Sequence, residues 1–110
     1  MEEQRVHIRK SVHGEASIAD QSGDLWCAVQ VLDISRMGVA FASAEKMDSG
    51  VTRMFRFFLP GSTERHTAVV KVVHCSDAQS GFRIGARFAS IKSESKESII
   101  TFIAAAANAS

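Results

Sequence analysis

The chain has 110 residues, of which 45% are hydrophobic and 23% are charged, and its 13 basic and 12 acidic residues give a net charge of +1. This composition predicts one folded domain. A net charge of +1 excludes the strong overall positive potential that attracts duplex nucleic acid. No apolar run approaches the about 20 residues of a membrane span, and the charged start is unlike a signal peptide, so we expect a cytoplasmic protein without membrane insertion.

Alternating apolar and polar residues predict six short strands along most of the chain. Residues 1–11 are charged and aperiodic, and we interpret them as a flexible arm outside the core, which is followed by one domain at 12–110. Strands at roughly ten-residue spacing are typical of a small antiparallel barrel or sandwich. The predicted strands are 12–20, 25–34, 39–44, 52–59, 65–75 and 82–88.

The period changes to that of a helix near the C-terminus. Apolar residues there recur at i, i+3, i+4 and i+7, which predicts a helix over 95–107 with one stripe that faces the barrel. Ser93 or Ser95 can cap this helix. The expected stripe comprises Ile99, Ile100, Phe102, Ile103 and Ala106.

The sequence holds no arrangement typical of an enzyme or of a metal site. The four histidines lack metal-binding spacing, and no nucleophile motif occurs, so we expect neither catalysis nor a metal nor a cofactor. Cys27 and Cys75 lie in apolar alternating segments 48 positions apart, and we expect them to be buried free thiols. We place Trp26 in the core.

One feature that breaks the β pattern is the segment RVHIR within the arm. Its two guanidiniums, on Arg5 and Arg9, are four positions apart and can close from two sides on one planar or anionic group. Arginine offers a rigid fork to phosphates and to guanine edges, and its plane stacks on a base. A solvated basic tail is the alternative interpretation.

A second such feature is the polar kink DISRMG between two apolar strands. Asp33 can accept hydrogen bonds from the Watson–Crick edge of a guanine, or it can cap the turn. Ser35 can donate to a phosphate, and Gly38 allows either a positive φ or a close backbone approach. An ordinary Asx-type turn is the alternative. The two features, with 23 residues between Arg9 and Asp33, are together more specific than either alone.

These segments resemble the pattern of the PilZ domain family, in which RxxxR is followed after some twenty to thirty residues by D/N-x-S-x-x-G. The matching segments are RVHIR at 5–9 and DISRMG at 33–38. The segment RIGARF at 83–88, with a helix after it, resembles the last strand and C-terminal helix of the family, so the resemblance covers almost the whole chain. It departs at Val39, where many members have a second glycine.

The resemblance implies a six-stranded antiparallel β-barrel with a C-terminal α-helix that binds cyclic di-GMP. By their positions in the family motif, Arg5 and Arg9 would bind guanine edges and phosphates. Asp33 and Ser35 would contact a guanine and its neighbourhood from the barrel surface, and Gly38 would shape the turn. Secondary ligand contacts would come from Gln4, Lys10, Arg36 and His74.

The resemblance also implies a monomeric receptor or adaptor that passes its signal to a partner protein. We expect the arm to be mobile without the ligand and to wrap over it on binding. Gln4 stands where an arginine favours a stacked pair of ligands in this family, so we expect one ligand per chain.

Two other functions stay open. One is a PilZ-like interaction module for a pilus, flagellar or secretion partner that binds no nucleotide. The other is an unrelated small barrel that binds nucleic acid, although the chain lacks the basic, aromatic-studded strand face of single-strand binders, so we expect no DNA or RNA partner.

Overall fold

The computed structural model describes the backbone of residues 10–109 and the side chains of residues 15–105. Within this part of the chain, six strands precede one helix. The elements are β1 (Lys10–Ala19), β2 (Trp26–Ile34), β3 (Gly38–Ser43), β4 (Thr52–Phe58), β5 (Arg65–Ala78), β6 (Gly81–Ile91) and α1 (Ser93–Ala109).

The strands close into an antiparallel barrel in the order β1-β2-β3-β6-β5-β4, which confirms the predicted architecture. The first strand begins two residues earlier than predicted, because Lys10 and Ser11 pair with Ile34 and Asp33 of β2. These two residues therefore belong to the barrel rather than to the arm. Because both residues are polar, the alternation pattern does not include them, and the strand extends over them through backbone pairing with β2.

The barrel interior is filled by the inward residues of each strand. In β4, Phe55 and Phe57 point inward and are buried, whereas Met54 and Phe58 point outward, as the alternation predicts. Phe55 stacks on Phe41 of β3 at a centroid distance of 5.4 Å and on Phe57 at 5.6 Å. This aromatic column joins β3 to β4, which lie on opposite sides of the barrel.

Helix α1 packs against the core through part of its predicted stripe. Ile99 is 0% exposed and Ile103 is also buried, and both belong to the core cluster. Ile100 is 41% exposed, so its assignment to the buried stripe was wrong. One residue step turns a helical side chain by about 100°, which takes Ile100 away from the face that holds Ile99.

Neither serine caps the helix. The first helical hydrogen bond runs from the N–H of Lys96 to the carbonyl of Lys92, 3.0 Å away, which puts Lys92 at the cap position. Ser95 is instead buried, and its hydroxyl lies 2.8 Å from Nδ1 of His66 on β5. This pair attaches the start of α1 to the barrel wall, which the sequence analysis did not foresee.

The start of β2 lies outside the core, contrary to prediction. Cys27 is exposed and Cys75 is half-buried, and both are free thiols rather than the buried ones expected. Trp26 is half-buried on the outer surface, where the guanidinium carbon of Arg56 lies 3.7 Å from its ring centroid. Trp26 shares the outward side of β2 with the exposed Ala28 and Gln30.

Candidate ligand site

A β-bulge at Leu32 determines which way Asp33 points. Val31 pairs with Phe41 of β3 and Asp33 pairs with Ala40, so Leu32 is an extra residue in β2. Without it, the alternation would turn Asp33 to the same side as the buried Val31. The bulge thus places the Asp33 carboxylate on the outer surface of the barrel, although Val31 and Ile34 on either side of the bulge are core residues.

Ser35 organises the turn that follows. Its N–H donates to the carbonyl of Gly38 at 2.9 Å, and its Oγ accepts from the N–H groups of Met37 at 3.2 Å and Gly38 at 3.3 Å. Ser35 is only 1% exposed. Its hydroxyl therefore serves the turn rather than projecting into solvent, and its predicted contact with a phosphate stays a prediction.

Gly38 is required by close packing rather than by a positive φ. Its φ is not in the left-handed region. A Cβ at this position would overlap the carbonyl oxygen of Ala86 on β6 and would lie 2.9 Å from Cα of Arg87. Next to it, the carbonyl of Met37 accepts a hydrogen bond from the N–H of Phe88 at 2.8 Å. The turn is therefore fixed against β6.

Asp33 forms an ion pair that crosses β3. Nη2 of Arg83 on β6 donates to Oδ2 of Asp33 at 3.2 Å. The side chain of Arg83 is 49% exposed and that of Asp33 is 17% exposed. Opposite Arg83 in the ladder is Ala42, and opposite Asp33 is Ala40, so only small side chains lie between the two partners. The pair is not visible in the sequence, because the alternation of β2 does not reveal that Asp33 points outward.

A second bulge brings His74 to the outer surface. Strand β5 continues to Ala78 instead of ending at 75, and its ladder with β6 shifts so that His74 pairs with Gly85 while Val72 pairs with Ala86. His74 is exposed, whereas the simple alternation placed it on the side of Val72. It thus lies in mid-strand on the outer surface rather than at a strand end.

We call the outward residues of this part of the barrel the site surface. Arg87 is exposed, opposite both Gly38 on β3 and Lys71 on β5, and Arg36 is exposed in the turn. Apart from Asp33, the ionised side chains of this surface are cationic, which suits an anionic ligand. The site surface comprises Asp33, Arg36, Lys71, His74, Arg83 and Arg87.

Three of the predicted ligand residues, Gln4, Arg5 and Arg9, lie outside the described residues. Lys10 is the first residue of β1, and its backbone pairs with Ile34 at the end of β2, close to the turn. The chain therefore enters the barrel at the edge of the site surface.

Among the residues that the structure describes, no group of three or more His, Cys, Asp or Glu side chains could hold a metal ion. In the same part of the chain, no helix is long and apolar enough to cross a membrane.

Comparison with known families identifies the chain. The model of the PilZ domain matches residues 3–105. The chain belongs to the PilZ domain family. The match includes both RxxxR and DxSxxG, so this PilZ domain carries the two segments that suggested the family. No curated protein sequence matches the chain significantly.

Solved structures with the same fold include three of low sequence identity. The Bacillus subtilis inhibitor of motility MotI/DgrA has a TM-score of 0.80 at 13% identity, over 92% of this chain and 50% of that one. Escherichia coli YcgR in complex with c-di-GMP has a TM-score of 0.78 at 14% identity, over 96% and 46%. Borreliella burgdorferi PlzA in complex with c-di-GMP has a TM-score of 0.69 at 18% identity, over 91% and 41%. The chain thus spans about half the length of these proteins.

Proposed function

We propose that this PilZ domain is a cytoplasmic receptor for cyclic di-GMP that acts on a partner protein and catalyses no reaction. The observation that carries the proposal is the outward carboxylate of Asp33, beside a turn fixed by Ser35 and Gly38, in a chain that also has RxxxR. The c-di-GMP in the solved structures of YcgR and PlzA supports the choice of ligand.

The chemistry of the ligand fits the residues proposed to bind it. Cyclic di-GMP is a compact dianion with two guanines, and its guanine N–H groups need an acceptor such as the Asp33 carboxylate. Arg5 and Arg9 would supply charge-assisted bonds to its phosphates and guanine edges. We assign secondary contacts to Gln4, Lys10, Arg36 and His74, with Ser35 and Gly38 holding the turn in place.

The signal would arise from the arm at 1–9. Because Arg5 and Arg9 need an anionic partner to fix them, we propose that the arm closes over the ligand and creates a new surface for a partner protein. Ordering costs roughly 1–2 kcal/mol per residue, which the contacts of both arginines must offset. Backbone amide exchange of residues 2–9 should slow when cyclic di-GMP is added. An arm already protected without ligand contradicts this mechanism.

Calorimetric titration with cyclic di-GMP, with GTP and cyclic di-AMP as controls, tests the function. We expect one ligand per chain. Arg9→Ala should weaken binding by about 2–3 kcal/mol, because its charge-assisted hydrogen bonds disappear. Binding of no nucleotide by the wild-type protein would favour the interaction-module alternative.

A matched pair of aspartates tests the site. Asp33→Ala should weaken binding about tenfold or more through loss of a hydrogen-bonded guanine contact, whereas Asp20→Ala, at the far end of β1, should change it less than about twofold. Both variants remove one negative charge, so the comparison controls for net charge. Equal losses in both would show that Asp33 does not contact the ligand.

A further inference from the structure

The Asp33–Arg83 pair places an acceptor and a donor next to each other on the site surface. The carboxylate has acceptor sites on both oxygens. The guanidinium has five N–H donors, and the bond to Asp33 uses one of them. Arg83 is half-exposed, so its guanidinium can meet a ligand while it remains beside Asp33.

This order of groups matches the Watson–Crick edge of guanine. That edge presents the N2 amino group, the N1–H and the O6 carbonyl in a row, which is two donors followed by one acceptor. A carboxylate accepts from the first two, and a guanidinium beside it can donate to O6. Adenine presents an acceptor at N1 and an amino group at N6. The Asp33 carboxylate would then face another acceptor, and the Arg83 guanidinium would face another donor.

We propose that Arg83 is a specificity-determining residue that donates a hydrogen bond to guanine O6 while Asp33 accepts from N1–H and the N2 amino group. This inference rests on the proposed function. It assigns to β6 a contact outside the two motif segments. Discrimination follows because a wrong base leaves polar groups of the site unpaired, which costs more than a missing apolar contact.

The experiment combines a ligand change with a protein change. Cyclic di-IMP keeps O6 and N1–H but lacks the N2 amino group, so it removes one donor to Asp33 and leaves the Arg83 contact intact. Arg83→Met removes the donor to O6 and keeps a long apolar stem. Arg65→Met is the charge-matched control, because Arg65 is exposed at the start of β5 and is not part of the site surface.

Wild-type and variant proteins are titrated with both ligands, and their thermal unfolding confirms an intact fold. Arg83→Met should weaken cyclic di-GMP and cyclic di-IMP to a similar extent, about tenfold or more, because both ligands carry the O6 acceptor that loses its donor. Arg65→Met should change each affinity less than about twofold. Arg83→Lys, which keeps the positive charge and N–H donors but not the planar fork, should recover part of the loss.

The outcomes separate this inference from the proposed function. Wild-type protein that binds neither ligand overturns the proposed function, and the role of Arg83 falls with it. Wild-type protein that binds while Arg83→Met binds equally well overturns only the role of Arg83. A loss with cyclic di-GMP that vanishes with cyclic di-IMP also overturns it, because Arg83 would then act solely by positioning Asp33 for the amino group.

Discussion

Gly38→Ala should destabilise the barrel strongly, although it adds only one methyl group. The new Cβ would overlap the carbonyl oxygen of Ala86 and lie 3.1 Å from its carbonyl carbon, besides the 2.9 Å approach to Cα of Arg87. All of these neighbours are backbone atoms, so no side chain can rotate away. Relief requires β3 to move away from β6, which would disturb a ladder of six residue pairs.

Overpacking of this kind typically costs about 1–3 kcal/mol, and we expect about 3 kcal/mol here because the obstacle is a strand rather than a side chain. For a domain of this size that corresponds to a fall in Tm of roughly 10–20 °C. Urea unfolding monitored by circular dichroism measures this change in the free energy of unfolding. It appears as a shift of the midpoint urea concentration while the slope of the free energy against urea stays the same.

The matched control is Gly85→Ala on the opposite strand of the same ladder. Its Cβ would meet Cβ of His74 at 3.8 Å, an ordinary contact, and its φ is not positive. Because alanine is the better residue within a strand, this change should be neutral or stabilising by up to about 1 kcal/mol. A loss below about 1 kcal/mol for Gly38→Ala, or equal losses for the two variants, would refute the role assigned to close packing.

Three further predictions concern parts of the molecule outside the site surface. Ile99→Ala should lower the free energy of unfolding by about 2–5 kcal/mol because Ile99 is fully buried, whereas Ile100→Ala should lower it by less than about 1 kcal/mol; similar losses would contradict the docking of α1. Hydrogen bonds to Asp20, chiefly from the Ser22 hydroxyl, lower the pKa of its carboxyl, so its contribution to stability is complete above the ordinary aspartate pKa and lost as the pH falls through the lowered value. Carboxyl NMR titration should show a midpoint below about 3.9, and a higher one would disprove this turn geometry. The exposed Cys27 should react with a thiol reagent faster than the half-buried Cys75, which the variants Cys27→Ser and Cys75→Ser distinguish, and the reverse order would contradict their placement.

Most of the barrel could be predicted because its signal is local. The period-2 alternation in β4 put Phe55 and Phe57 inside and Met54 and Phe58 outside, as the structure has them. The turn at 20–25 was equally visible in its residues, and Gly23 there has a φ of 82°. Alternation and turn chemistry are written in neighbouring residues, so a single sequence suffices to read them.

The errors fall where burial depends on distant parts of the chain. Cys27 has the same parity as the buried Val29 and Val31 and is nevertheless exposed at the start of β2, so its exposure does not follow from the alternation along the strand. Simple alternation puts His74 on the side of the buried Val72, but a bulge shifts the ladder between β5 and β6 and turns His74 outward. The pairing of Arg83 with Asp33 joins residues 50 positions apart, and it follows only from the strand order.

The bulge at Leu32 makes the length of β2 as important as its composition. Removing this one residue would restore a regular ladder with β3. The side chains before the deletion would then change sides relative to those after it. Either Asp33 would face the apolar interior, or the inward residues upstream of it would face outward. Every side chain proposed to bind the ligand would still be present in the sequence. A relative of this chain that keeps every motif residue but lacks the bulge residue before the aspartate would therefore have lost the site. The position of the bulge within the strand thus says more about binding than the number of residues between Arg9 and Asp33.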